Sequence, residues 1–191
     1  MRTSIAHVCK ALVLLLVCGL LPAAAQQAPP PASQFLLTIP AFSDGAEVPV
    51  KYTCSAKPNF VSPALEWTNV PAGTTSFTLL FHDPDANPKK GMWDVTHWIV
   101  WNIPATATGL PEGVMPGPKM EDGAIQGKNI RDVNGYQGPC PPPGKPHHYT
   151  FELYALDTSL DLAADASRAD VLKAMDGHII GKAVYVGYFN R

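Results

Sequence analysis

One stretch, Leu79–Asn102, constrains the fold of this chain more than any other. Two apolar runs rich in aromatic and β-branched residues, Phe77–Phe81 and Trp98–Ile103, lie on either side of a polar loop. This pattern predicts a pair of antiparallel β-strands. Asp83 follows the first run and His97 precedes the second, so antiparallel pairing brings a carboxylate and an imidazole to the same end of the sheet.

Alternation along the two strands supports the same placement. Side chains two residues apart in a strand point to the same face of the sheet. The face predicted to include Asp83 also carries Phe77, Leu79 and Phe81. The face predicted to include His97 also carries Ile99, Trp101 and Ile103. We therefore expect the two ionisable groups to continue an apolar face at the rim of the core, where a pocket can form.

The N-terminal residues have the pattern of a secretory signal peptide. Two basic residues precede a short apolar run at 11–21, and small residues then precede Gln26 in the spacing of a cleavage site. The run is short for a membrane span, although an uncleaved anchor is the alternative. We expect residues 1–25 to be removed, 26–34 to be a flexible lead-in, and 35–191 to form one domain of a periplasmic or secreted protein.

The charge of the chain limits its partners. The formal net charge is −2, and the predicted signal carries basic residues but no acidic ones, so the mature chain is more acidic still. A chain without a basic stripe is a poor candidate for binding nucleic acid or an anionic membrane surface. We expect no nucleic-acid partner and no stable membrane insertion.

Two of the four cysteines, Cys54 and Cys140, lie outside the predicted signal. An exported pair of cysteines most simply forms a disulfide, and two separate buried thiols are the alternative. The chain contains no C-x-x-C pair, so the sequence predicts no zinc site.

Beyond the central pair of strands, the sequence predicts a mainly β domain. Alternating apolar residues predict further strands at 35–39, 48–53, 64–67, 149–156 and 182–189. An apolar stripe predicts one helix at 167–176, with Ser167 as its N-cap and Gly177 as its stop. Residues 104–146 are rich in Gly and Pro and show no useful periodicity, so we expect a long functional connection there.

The usual catalytic signatures are absent. The chain has no G-x-S-x-G motif and no histidine pair with metalloprotease spacing, and its Gly138–Pro146 segment lacks the spacing of a phosphate-binding P-loop. The residue types also allow a metal site built from His82, Asp83, Asp85 and His97. Alternation weakens this interpretation, because His82 and Asp83 point to opposite faces. Without a nucleophile, Asp83 and His97 are interpreted as a recognition element for a small anion, with Asp83 orienting the imidazole and favouring its protonated form. The alternative is that Asp83 and Asp85 only cap a turn.

Three ordered blocks resemble the signature of a known family. They are Asp83–Ala86, His97–Ile103 and Gly135–Tyr149, and they are similar to blocks of the phosphatidylethanolamine-binding proteins, also called Raf kinase inhibitor-like proteins. The order of the remaining motifs is similar to that of the bacterial branch. Two departures are Asn87–Pro88, which interrupts the usual Asp-Pro-Asp-Ala-Pro, and His148, which stands where arginine is common.

The resemblance implies a large antiparallel sheet with a smaller sheet packed on it, peripheral helices and a small anion pocket. The candidate ligand-binding residues are Asp83, Asp85, His97, Gly138, Pro142, His147 and Tyr149. We expect an exported binding or regulatory protein, without cofactor or enzymatic activity, whose ligand is phosphate or a phosphoethanolamine-like headgroup. Two alternatives stay open: an inhibitor of exported proteases, and a phosphoester hydrolase using His97 as acid or base.

Overall fold

Two antiparallel β-sheets form the body of the protein, for which a computed structural model describes residues 34–87 and 94–191. The smaller sheet has the order β1–β2–β5 and the larger has the order β6–β4–β3–β7–β8. In chain order, the strands are β1 Leu36–Thr38, β2 Leu65–Thr68, β3 Ser76–Asp83, β4 Val95–Pro104, β5 Gly109–Leu110, β6 Ile125–Gln126, β7 His147–Leu156 and β8 Ile179–Phe189. The predicted mainly β fold with two packed sheets is confirmed.

Two apolar layers cover the two faces of the larger sheet. The first lies between the sheets and joins Leu37 and Trp67 of the smaller sheet to Phe77 and Phe151 of the larger one. The second lies on the opposite face, around Trp101 and beneath helix α1, Arg168–Met175. The alternating apolar residues of β3 and β7 therefore bury both faces of the central strands, and this burial is the main source of the fold's stability.

Helix α1 begins and ends as the sequence predicts. Ser167 accepts a hydrogen bond from the Asp170 backbone N–H, and the Asp170 side chain accepts one from the Ser167 backbone N–H in return, which forms a capping box. Val171 and Met175 are buried against the sheet. Among the described residues, no helix is both long enough and apolar enough to cross a membrane.

Strand β4 departs from simple alternation at two positions. Its register against β3 shifts between the pairs Phe77–Ile103 and Leu79–Val100, and again between Phe81–Trp98 and His82–Thr96. Each shift places one extra residue in β4. The strand therefore contains two β-bulges.

The bulges overturn the predicted face of His97. The extra residue of the second bulge is His97 itself, so its ring packs with Phe81 between the sheets. Ile99 and Trp101 belong to the opposite layer, whereas Ile103 returns to the first layer after Asn102, which has φ +58°. The prediction that His97, Ile99, Trp101 and Ile103 share one face is therefore wrong.

Two local predictions also need correction. Residues 48–53 do not form a strand: Val48 pairs with Tyr188, and Pro49 then leads into a single 3-10 turn at Val50–Tyr52. The long connection 104–146 is not wholly irregular, because β5 and β6 lie within it. The side-chain amide of the buried Gln126 donates to the carbonyls of Met115 and Gly117, which orders this part of the chain.

The predicted disulfide between Cys54 and Cys140 is present, with 5.3 Å between the two Cα atoms. It joins the end of the 3-10 turn to the Pro-rich part of the long connection, and Cys54 N–H also donates to the carbonyl of Pro139. The predicted signal peptide, lead-in residues 26–33 and Pro88 lie outside the described residues.

Candidate functional site

A cavity of about 500 Å³ opens at the end of the larger sheet where β3 ends and β4 and β7 begin. The strands and the long connection both contribute to its wall. The lining residues are Asp83, Ala86, Asn87, Val95, His97, Ile130, Arg131, Gln137, Cys140, Pro141, Pro142 and His147. Four predicted site residues therefore meet here: Asp83, His97, Pro142 and His147.

Strand pairing explains how these residues come together. Both β4 and β7 pair antiparallel with β3, one on each side. The C-terminal end of β3 therefore lies between the N-terminal ends of its neighbours. Asp83 ends the middle strand, while His97 and His147 stand at the beginnings of the flanking strands.

His97 is held by two backbone contacts with one residue. Its Nδ1 lies 2.8 Å from the carbonyl oxygen of Gln137, and the Gln137 N–H donates to the carbonyl oxygen of His97, also at 2.8 Å. A carbonyl oxygen can only accept, so Nδ1 carries a hydrogen and Nε2 is the acceptor of the neutral ring. The ring also meets Tyr149 edge to face, with 5.2 Å between centroids.

Burial sets the protonation of His97. The side chain is only 4% exposed, and this desolvation lowers the pKa of the imidazole. The Gln137 carbonyl and the Asp83 carboxylate act in the opposite direction but do not reverse the shift. His97 is therefore neutral near pH 7, because burial outweighs the influence of Asp83, which favours the protonated form as the sequence predicts.

The hydrogen-bonding partner of Asp83 is His147 rather than His97. Nδ1 of His147 donates to Oδ2 of Asp83 at 2.8 Å, and the other carboxylate oxygen accepts the N–H of Asp85 at 3.0 Å. The expectation that Asp83 directly orients His97 is thus wrong: the carboxylate orients His147, and a backbone carbonyl orients His97. Both imidazoles consequently use Nδ1 within the protein and leave Nε2 for a ligand.

Tyr149 lies behind the cavity wall. Its side chain is completely buried, and its hydroxyl lies near the Asp83 carboxylate and the backbone of Cys140. Burial, followed by the negative charge of Asp83, raises the pKa of this phenol. The hydroxyl therefore stays protonated, as a donor close to the Asp83 and His97 side chains.

Asp85 and Gly138 are not among the residues that line the cavity. Asp85 faces the exposed His148, whose N–H and Nδ1 both donate to Oδ2 at 2.7 and 2.8 Å, and the backbone contact is the main reason that the pKa of Asp85 is lowered. A Cβ on Gly138 would lie 2.7 Å from the carbonyl oxygen of Tyr52. This glycine therefore permits close packing of the chain against residues 52–53, and that contact accounts for it without a ligand.

Several lining residues escaped the sequence-based prediction. Gln137 acts through backbone atoms, which every residue possesses, so its side chain carries no signal of this role. Ile130 and Arg131 lie in the long connection, where no periodicity indicates what a residue will face. Their proximity to the predicted Gly135–Tyr149 block was the available clue.

The opposite face of the sheet carries a separate ionic group. His82 points away from the cavity, and its Nδ1 lies 2.6 Å from Asp94, which also pairs with Arg168. His82 therefore does not join Asp83 and His97 in one site. Within 34–87 and 94–191, no group of three or more His, Cys, Asp or Glu side chains could bind a metal ion.

Comparison with known proteins agrees with this geometry. The family model described as phosphatidylethanolamine-binding protein matches residues 38–190, which span both sheets and every strand of the cavity. The chain belongs to the phosphatidylethanolamine-binding protein family. The family resemblance inferred from the three sequence blocks is confirmed.

Relatives of this chain include archaeal and bacterial proteins. A UPF0098 protein of Methanothermobacter thermautotrophicus is 47% identical over 151 residues, covering 79% of this chain and 95% of that protein. The solved structure of Escherichia coli YbcL, described as a new member of the mammalian family, matches with a TM-score of 0.73 and 33% identity, covering 83% of this chain and 99% of YbcL.

A second solved structure extends the comparison. The protein CT736 of Chlamydia trachomatis, described as a putative homologue in the phosphatidylethanolamine-binding protein family, has a TM-score of 0.72 and 36% identity. The match covers 83% of this chain and 98% of CT736. These two structures share the family fold over nearly their whole length.

The lowered pKa of His97 predicts how stability depends on pH in this family member. The folded chain binds fewer protons at His97 than the unfolded chain does, so the free energy of unfolding should fall as pH decreases below the ordinary histidine pKa of about 6.5. His97→Gln should make this decline shallower. Denaturant unfolding of both proteins at several pH values measures the difference, and parallel pH profiles would contradict it.

Proposed function

We propose that the cavity binds a small phosphate-type anion, such as phosphate or the headgroup of phosphoethanolamine. The observation that carries this proposal is that two imidazoles lining the cavity both use Nδ1 for a hydrogen bond within the protein. His97 donates through Nδ1 to Gln137, and His147 donates through Nδ1 to Asp83, so two Nε2 atoms remain for one ligand. Oxygen atoms of a tetrahedral anion are suitable partners for two imidazoles that line one cavity.

Protonation decides how such an anion binds. A neutral imidazole with a hydrogen on Nδ1 presents a lone pair at Nε2, which repels an unprotonated phosphate oxygen. Either the ligand must bring a hydrogen on one oxygen, or the imidazole must take up a proton during binding. Both routes require one more proton in the complex, and binding should therefore weaken as pH rises through the histidine range.

The cavity wall favours binding over catalysis. Apart from the two imidazoles, the described lining side chains include no Ser, Thr or Tyr, and the sulfur of Cys140 belongs to the disulfide. A covalent route through a hydroxyl or a free thiol therefore has no candidate among the described lining residues. A hydrolase that uses His97 to activate water is the competing function, and turnover of a phosphoester that His97→Ala abolishes would establish it.

Export is a further part of the proposal. The Cys54–Cys140 disulfide is of a kind that persists in oxidising compartments, which agrees with the signal-like N-terminal sequence. We expect the protein recovered from the periplasm or culture medium of an expressing bacterium to begin at or near Gln26. N-terminal sequencing of that material measures this, and recovery of chains that begin with Met1 would contradict cleavage.

The binding proposal predicts that substitutions at the cavity lower the affinity for phosphate by different amounts. Removing an imidazole, by His97→Ala or His147→Ala, removes a charge-assisted hydrogen bond to the anion and should weaken phosphate binding roughly tenfold to a hundredfold. Asp83→Asn should weaken it less, because it loses the carboxylate that orients His147 but also removes a negative charge that opposes the anion. Calorimetric titration with inorganic phosphate, at a pH below and a pH above the histidine range, measures each effect.

His178→Ala is the matched control. His178 also donates through Nδ1 to a carboxylate, that of Asp157 at 2.8 Å, but it is half-exposed and does not line the cavity. The control should bind phosphate as the wild type does. Equal affinities for the wild type, His97→Ala and His147→Ala would show that the anion does not bind at this cavity.

A further inference from the structure

We propose that Arg131 makes the cavity selective for dianionic ligands, such as a terminal phosphate, over monoanionic ones. The inference rests on the proposed function of anion binding and adds the charge class of the ligand. Arg131 lines the cavity and is exposed, so it lies at the mouth. None of the ion pairs found within the described residues involves it.

The other lining residues described above do not by themselves favour an anion. Asp83 is a buried carboxylate, only 3% exposed, and His97 is neutral because it is buried. The side chains that line the cavity thus include a negative charge, which opposes an incoming anion. Among the described lining residues, Arg131 is the one side chain that is positively charged at every physiological pH.

The backbone of the long connection brings Arg131 close to His97. The N–H of Ile130 donates to the carbonyl oxygen of Thr96 at 2.9 Å, and the N–H of Gln137 donates to the carbonyl oxygen of His97 at 2.8 Å. The connection is therefore hydrogen-bonded to two consecutive residues near the beginning of β4, Thr96 and His97. Arg131 follows the first of these attachments directly.

A buried asparagine gives this segment a defined shape. Oδ1 of Asn129 accepts the N–H of Arg131 at 2.8 Å and that of Val133 at 3.4 Å, while its Nδ2 donates to the carbonyl of Gly135 at 2.9 Å. The backbone N–H of Asn129 also donates to the carbonyl of Val133. This turn, with Asp132 at φ +57°, fixes the backbone of Arg131 before any ligand binds.

The chemistry of arginine determines what it selects. Its planar guanidinium can donate two parallel hydrogen bonds to two oxygens of one phosphate group. A terminal phosphate carries up to two negative charges and keeps oxygens for both the imidazoles and the guanidinium, whereas a diester carries one charge and has two oxygens blocked by ester bonds. Arg131 should therefore improve the binding of the monoester more than that of the diester.

A pair of small probes tests this selectivity. Methyl phosphate and dimethyl phosphate differ by one ester bond and one charge at about pH 7.5, well above the second phosphate pKa of about 6. Calorimetric titration should show that the wild type binds methyl phosphate roughly tenfold more tightly or better. Arg131→Ala should lose most of that preference, and Arg131→Lys should retain part of it because the charge remains.

Lys128→Ala is the matched control for a general change in charge. Lys128 is exposed, lies three residues before Arg131 in the same connection and does not line the cavity. This variant should keep both the affinity and the preference of the wild type. A preference lost equally in Lys128→Ala and Arg131→Ala would contradict the specific role of Arg131.

The outcomes separate this inference from the proposed function. Failure of the wild type to bind either probe would overturn both. Binding of methyl phosphate that His97→Ala weakens but Arg131→Ala leaves unchanged would overturn the role of Arg131 alone. If Arg131→Ala lowered the affinity for both probes by the same factor, the proposed selectivity would be wrong. Arg131 would then attract anions without distinguishing their charge.

Discussion

The reciprocal hydrogen bonds between His97 and Gln137 are the interaction on which the candidate site depends. They attach the long, Gly- and Pro-rich connection to the bulged start of β4, and they also determine which nitrogen of the imidazole faces a ligand. The bulge turns His97 toward the layer between the sheets, and without it simple alternation would have placed the ring on the opposite face. A single extra residue in a strand thus creates the site.

The two imidazoles are held in the same way by different acceptors. A neutral carbonyl accepts from His97, whereas a carboxylate accepts from His147, so the two rings share a geometry and differ in electrostatic surroundings. The cavity therefore combines a buried neutral imidazole, a second imidazole paired with a carboxylate and an arginine at its mouth, which together suit a dianion that binds with one additional proton.

Much of this fold was predictable because strands β3 and β7 obey simple alternation. Tyr149, Phe151 and Leu153 face one layer as predicted. Ser167 caps the helix, also as predicted, because its side-chain oxygen accepts a backbone N–H of the first turn. The face of His97 was not predictable, because one inserted residue in a bulge changes no local composition. The partner of Asp83 was also missed: two histidines begin strands on either side of β3, and only their three-dimensional positions distinguish them.

The most direct test of this account is the nitrogen NMR spectrum of the His97 imidazole with and without phosphate. In the free protein at neutral pH, we predict a hydrogen on Nδ1 and none on Nε2, because Nδ1 donates to the Gln137 carbonyl. Saturation with phosphate should shift the Nε2 resonance toward its protonated, hydrogen-bonded range, while the His178 resonances stay unchanged. A hydrogen on Nε2 in the free protein, or a His97 spectrum that phosphate leaves unchanged, would contradict the account.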